Sequence, residues 1–527
     1  MKQNNINKYC NINCIVCLFL LLFYPFCMRR VSYATQLSRY AWFYEREVLT
    51  DYYLAFRSYL LVGLGTILLF ALIVRVFQKK VWFSWSSHRA FYCGLLLYVI
   101  GIIGSTVCST DLLISLRGGF EQFESAFVLI SYLILLLYVK NADINLNSFL
   151  ISLARFCLVV SSVVLIILGF LQKDEVYLTF YNPNYAAVYL NLILPIMIWL
   201  TLSAFSKSVK KLYPYVLALI SIGLIICLIR TESTLQILIF IIEMILLFLF
   251  EGRLKPAVSV RLFLVGGGIL LIGSVIIVLC VIRQPYIQPH IADISTNDSD
   301  VTLVLDGKPL SFSSDATTSA QELAYHVDTR QLADGPSFNG FTISTGYENQ
   351  FFTNETEDGT YYFLTPFDKF MKLAPAKSLL FTNCPSFLSG RGYIWARTLP
   401  LLSDCLLTGY GPDTFILHFP HNDYGAAVET NNLYHVITKP HSLYLQIATQ
   451  TGILSLIGFL MVCGVYFVTT IKKYRHTQSA AVFDKFYMAI FVSVIGYLLS
   501  GLLNDSCVAV APYCWVLLGL GFRSSSS

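Results

Sequence analysis

Residues 55–77 read AFRSYLLVGLGTILLFALIVRVF, a run with two charged positions, Arg57 and Arg75, near its ends. At 1.5 Å per residue such a helix covers roughly the 30 Å hydrocarbon layer of a bilayer. Its apolar residues fill every face rather than one stripe, which suits lipid and not a soluble core. Working outward, similar runs recur at about 13–28, 90–108, 122–139, 149–171, 184–205, 212–230, 234–250, 260–282, 452–470, 483–501 and 507–522. The pattern predicts an all-α polytopic membrane protein with about 12 transmembrane helices and a large extracytoplasmic loop carrying a small β-rich insertion.

Composition agrees. The 527-residue chain is 56% hydrophobic and 13% charged, where a soluble chain carries about 25% charge. A soluble enzyme, a disordered or fibrous protein, a one-span anchor and a nucleic-acid binder are excluded. A β-barrel would show short alternating segments instead of solid runs. The expected organisation is a membrane domain over 1–282, a β-rich insertion over 283–382, a catalytic loop over 383–451, and a second membrane segment with a cytoplasmic tail over 452–527.

Lysine and arginine set the sidedness. Arg75, Lys79, Lys80 and Arg89, then Lys140, then Lys207, Lys210 and Lys211, then Arg253, Lys255 and Arg261, then Lys472, Lys473, Arg475 and Lys485 fall in one set of loops. The positive-inside rule places that set in the cytoplasm, with both termini cytoplasmic and the long loop outside. Arg29, Arg30, Arg39 and Arg46 run against the rule, on the outer side. Within the insertion, Val301–Leu305, Asp306-Gly307 and Pro309–Phe312 read as a hairpin, and Thr360–Leu364 as a further strand. Among 14 cysteines, Cys14 and Cys17 have no second ligand pair, and Cys384 and Cys405 are either a disulfide or two free thiols.

Polar groups at or near a membrane mark function because placing them there is costly. Ser389-Gly390-Arg391 through Trp395 to Arg397 reads as a short interfacial helix with an arginine at its start and aromatics toward the headgroups. Gly409-Tyr410-Gly411-Pro412-Asp413 reads as a turn, with Asp413 capping the segment after it. In Lys439-Pro440-His441-Ser442, Pro440 suits a first helical position and places His441 in the first turn, where the helix dipole favours a neutral imidazole able to act as a base. Arg230 precedes Thr231-Glu232-Ser233-Thr234 at an outer helix junction, and Glu243 lies mid-span.

The order of these features resembles the O-antigen ligase and polysaccharide polymerase superfamily. Leu116-Arg117-Gly118-Gly119-Phe120 with Glu124, Asn182-Pro183-Asn184-Tyr185-Ala186, Ser389-Gly390-Arg391 with Trp395, Gly409-Tyr410-Gly411, and His441 to Gly452 carry the resemblance. It implies a glycosyltransferase of the bacterial cytoplasmic membrane. A glycan moves from undecaprenyl diphosphate to a sugar hydroxyl on a glycan or lipid-linked acceptor at the outer face. Implied partners are membrane lipid and surface-polysaccharide export and chain-length machinery. Arg391 and His441 take the catalytic roles, and Arg230, Arg397, Lys439 and Trp395 are expected to bind substrate, with loss of Arg397 milder than loss of Arg391. The sequence departs twice: Thr231-Glu232-Ser233 is followed by Thr234 where the family has its second arginine, with Arg230 standing in, and Ser442 follows the histidine where Asn is usual. No cofactor is expected and no metal is demanded, since no ligand-spaced cluster of His, Asp and Glu appears. The rival readings are a secondary transporter, for which no repeat of two halves is found, and a metal-dependent lipid-linked glycosyltransferase using Glu45 and Glu47.

Overall fold

The computed structural model describes residues 19–20, 23–43, 46–78, 89–141, 148–206, 212–250, 376–423, 436–476 and 482–524. Between 250 and 376 it also describes 294–297, 300–305, 308–313, 324–331, 337–344, 349–353, 355, 361–365 and 369–372. The chain is mostly helical. Six described helices are long and apolar enough to cross a membrane: Ala55–Phe77, Arg89–Val107, Ala154–Leu171, Pro183–Phe205, Tyr213–Arg230 and Ile453–Tyr474. Shorter apolar helices cover Ala126–Asn141, Thr234–Phe248, Lys485–Ser500 and Ala511–Phe522. The expected span at 260–282, half of that at 13–28, and Glu45 lie outside the described residues.

In chain order the helices used below are α1 (Ala55–Phe77), α2 (Arg89–Val107), α3 (Leu112–Arg117), α4 (Ala126–Asn141), α5 (Ser148–Leu171), α6 (Pro183–Ser206), α7 (Tyr213–Arg230), α8 (Thr234–Phe248), α9 (Phe387–Leu401), α10 (Phe415–His418), α11 (Leu443–Thr451), α12 (Ile453–His476), α13 (Val482–Ser500) and α14 (Ala511–Ser524). Early and late helices interleave: α2 packs on α12, α4 on α14, and α6 on α13. The α2–α12 crossing depends on two glycines. A Cβ on Gly94 would lie 2.8 Å from the Gly458 carbonyl, and one on Gly458 2.5 Å from that of Gly94. Small residues bring backbones together where lipid supplies no hydrophobic drive between helices.

Local capping explains where several helices begin. The Asp51 carboxylate accepts from the N–H groups of Tyr53, Leu54 and Ala55, starting α1, and Asp111 accepts from Leu113 and Ile114, starting α3. The helix expected from residue 122 starts instead at Ala126. Glu121 and Phe123 adopt left-handed backbone angles (φ 59° and 54°), and residues 119–125 form a loop in which the N–H groups of Gly119 and Glu124 donate to the distant Asp413 carboxylate.

Eight described strands form a sheet in sequential order between Ile294 and Lys372. Within it, β4 (Asp300–Leu305) pairs antiparallel with β5 (Lys308–Ser313), Leu305 facing Lys308. Near the N-terminus, β1 (Val31–Ala34) pairs with β2 (Val48–Asp51). The loop carrying this hairpin lies against the long loop. Trp42 stacks on His421 at 4.3 Å, Leu37 and Phe43 share a core with Ile114 and Ile416, and Lys369 Nζ donates to the Ser38 carbonyl at 2.6 Å. The segment bearing Arg29, Arg30, Arg39 and Arg46 therefore lies at the same end of the helices as residues 376–423.

Candidate active site

Helix α9 opens with Leu388, Ser389 and Gly390 in left-handed conformations (φ 49°, 57° and 85°), so regular helix begins at Arg391. That bend carries the Arg391 side chain to the loop between α13 and α14. Its Nε donates to the Leu503 carbonyl at 2.9 Å, and another guanidinium nitrogen donates to the Leu388 carbonyl at 3.0 Å. Burial pulls the guanidinium below its ordinary range, while Asp505 and the Tyr185 hydroxyl push it back up. No carboxylate bonds to Arg391 among the described residues; its partners are neutral carbonyls, which leave its charge available to an anion.

His441 reaches the same loop. Its Nδ1 lies 2.8 Å from Asp505 Oδ2, and its side chain is 42% exposed while that of Asp505 is 1% exposed. Asp505 Oδ1 accepts the Ser442 N–H at 3.1 Å. With a proton on Nδ1 directed at the carboxylate, Nε2 is left as an outward-facing base. The expectation of a first-turn histidine is corrected here. His441 has φ 51°, Ser442 is the N-cap and the helix starts at Leu443. The imidazole is thus oriented by the Asp505 carboxylate and not by a helix dipole. The other described loop histidines differ: burial pulls His418 and His421 down to about 4, and both stack on aromatic rings.

Residues 438–441 are gripped from four directions. The Thr438 hydroxyl donates to Glu121 Oε2 at 3.3 Å, and its carbonyl accepts from the Gln122 amide. Lys439 Nζ donates to the Tyr185 hydroxyl at 3.1 Å. The Pro440 carbonyl accepts from Trp395 Nε1 at 2.9 Å, and His441 takes Asp505. A second layer lies beneath. Glu124 accepts from Tyr132, Ser506 and Gln446, and the Ser506 N–H donates to Gln446 Oε1 at 2.7 Å. Asp413 accepts from the N–H groups of Gly119 and Glu124, both at 2.8 Å. Asp413 therefore ties two loops together instead of capping α10, whose N-cap Thr414 makes no side-chain cap bond. Burial pushes the Asp413 carboxyl up to about 7, against these two donors. Gly411, at φ 117°, passes so near Ser109 and Ser115 that a Cβ would lie 2.3 and 2.5 Å from their hydroxyls.

The structure brings Arg391, Trp395, Lys439 and His441 together and sets Arg397 and Arg230 apart. Arg397 is sealed in the loop core, its Nε 2.6 Å from Asp423 Oδ2 and its guanidinium 5.1 Å from the Tyr393 ring. It holds the loop and presents no face to a substrate, so a mild effect of its removal is no longer expected. Arg230 donates to the carbonyls of Gly169, in the last turn of α5, and Gln172, just past its end, and lies 5.8 Å from the Phe170 ring, a C-cap arrangement. Trp395 faces Pro440 and the edge of Phe381, not headgroups. Lys439 is buried, so its charge acts through Tyr185 and the nearby Asp505 and Glu121. Glu47 accepts from Gln36 N–H and the Ser38 hydroxyl, latching its own loop. No group of three metal-ligating side chains occurs among the described residues. Cys384 and Cys405 are free thiols.

Asp505 escaped sequence reasoning. The available signal is Asn504-Asp505-Ser506, a polar triplet between two apolar runs.

Comparison with curated proteins finds no match, and neither does comparison with solved structures. The O-antigen ligase family model matches residues 382–460. This is the segment that carries Arg391, Trp395, Lys439 and His441, and over that segment the chain is similar to the O-antigen ligase family.

Proposed function

We propose that the protein transfers a glycan from undecaprenyl diphosphate to a sugar hydroxyl at the outer face of the bacterial cytoplasmic membrane, polymerising or ligating a surface polysaccharide. The carrying observation is the convergence of Arg391 and His441 on one loop, through the Leu503 carbonyl and the Asp505 carboxylate. An arginine held only by carbonyls suits a diphosphate, and a carboxylate-oriented imidazole suits a hydroxyl. In the transfer, the acceptor O–H gives its proton to His441 Nε2. Its oxygen attacks the anomeric carbon opposite the diphosphate, the carbon–oxygen bond to the diphosphate breaks, and the electron pair leaves with undecaprenyl diphosphate. Arg391 offsets the charge that develops on that leaving group, in surroundings where lipid lowers the dielectric. The outcome is inversion, with no cofactor or metal. Lys439 adds a second, buried positive charge where the family's second arginine is absent.

This reading keeps the long loop extracytoplasmic and both termini cytoplasmic. Polymerisation is preferred because it requires no lipid core as acceptor. Deleting the gene and sizing the surface glycans tests it. Single repeat units accumulating on the carrier mean polymerase; full-length chains left on the carrier mean ligase. Unaltered glycans would defeat the proposal.

A further inference from the structure

We infer that Glu121, with Tyr181 beside it, is the seat for the acceptor sugar: a carboxylate receiving hydroxyls of the same sugar residue that presents its reacting hydroxyl to His441. This deepens the transfer reading above and rests on it. Glu121 is half-buried at the edge of the site. Its Oε1 accepts from the Tyr181 hydroxyl at 2.6 Å and its Oε2 from Thr438 at 3.3 Å. An ionised carboxylate accepts about four hydrogen bonds, so about two positions remain for outside donors. Glu121 and Tyr181 both hold left-handed backbone angles, φ 59° and 71°, on two different loops. Such conformations in residues other than glycine persist where the surrounding structure imposes them, and they cluster at functional sites.

Position and charge supply the rest. Thr438 and His441 are three residues apart, at most about 10 Å along the chain, a gap that a pyranose with its substituents bridges. Buried Lys439 lies within electrostatic reach of both Glu121 and Asp505, keeping two carboxylates compatible on either side of one segment. Glu121 offers only acceptors, which suits neutral sugar hydroxyls and repels a diphosphate. Arg391 offers only donors, which suits the diphosphate. The two ends of the site thus sort donor from acceptor by sign of charge.

The test uses full-length protein in liposomes with two probes. One is the carrier-linked glycan isolated from cells lacking the gene, supplied together with their surface glycolipid. The other is undecaprenyl diphosphate alone. Glu121→Gln should raise the acceptor concentration for half-maximal transfer by about tenfold, the scale of one charge-assisted hydrogen bond. Binding of undecaprenyl diphosphate should stay within about twofold. Thr438→Val, which removes the internal contact and keeps the carboxylate, should leave acceptor dependence nearly unchanged. The inference is overturned if both probes weaken together in Glu121→Gln, or if Thr438→Val matches it, for Glu121 is then a pin for the segment. A wild-type protein that transfers nothing to any acceptor would instead defeat the transfer reading itself.

Discussion

The two ends of α9 carry the same residue type in opposite circumstances. At the start, Arg391 is partly exposed and held by carbonyls. Six residues on, Arg397 is fully buried and paired with Asp423. A guanidinium among neutral acceptors keeps its charge for an arriving anion, whereas one closed on a carboxylate has its charge cancelled and serves the fold. Chemistry and architecture are thus separated by less than two helical turns, and what separates them is the partner, not the residue.

The contrast can be broken most severely at the Arg391 end. Arg391→Ala and His441→Ala should each lower glycan product by roughly 10²–10⁴-fold with normal membrane levels, measured by gel sizing of surface glycan beside immunoblots. At the other end, Arg397→Ala should cost about 3–5 kcal/mol of stability by leaving Asp423 buried and uncompensated. Thermal unfolding in detergent should show this as a lower Tm, and the Arg397→Ala, Asp423→Ala double variant should recover part of the loss. If Arg397→Ala kept its Tm and lost only activity, the division between the two ends would be wrong.

Asp505→Asn sharpens the comparison further. It should reduce turnover by roughly 10–10²-fold, since the imidazole loses its orienting carboxylate, and the Tm should move little. A subtler effect concerns pH. The folded Asp413 carboxyl, at about 7, sits above its ordinary value. Its contribution therefore favours the folded state fully at low pH and declines as pH rises from about 4 through 7. Asp413→Asn should flatten that dependence of Tm, whereas a wild-type profile with no decline over this range would contradict the assignment. The smallest effect is expected at Arg39→Ala. The exposed Arg39–Asp111 pair, at 3.3 Å, should be worth no more than about 0.5 kcal/mol.

Much of the fold was legible because long apolar runs have few alternatives: 55–77, 184–205 and 212–230 nearly coincide with α1, α6 and α7. The start of α4 was not legible, because it is set by Asp413, nearly 300 residues away, drawing the N–H groups of Gly119 and Glu124 into a loop. The site divided in the same way. Arg391, His441 and the turn at 409–413 stand in polar motifs. Asp505, Asp423 and the roles of Glu121 and Tyr185 depend on contacts between distant segments that no local pattern records. The place of His441 was misread because a left-handed residue before the N-cap leaves no trace in composition.

The grip on residues 438–441 also sets the order in which the candidate site is completed. Its holders arrive in chain order: Gln122, then Tyr185, then Trp395, and after them Asp505. Until the hairpin bearing Asp505 has been inserted, the imidazole has no orienting partner and the arginine no docking carbonyl. On the proposed transfer reading, a chain cut before Asp505 would therefore be inactive even with Arg391 and His441 in place.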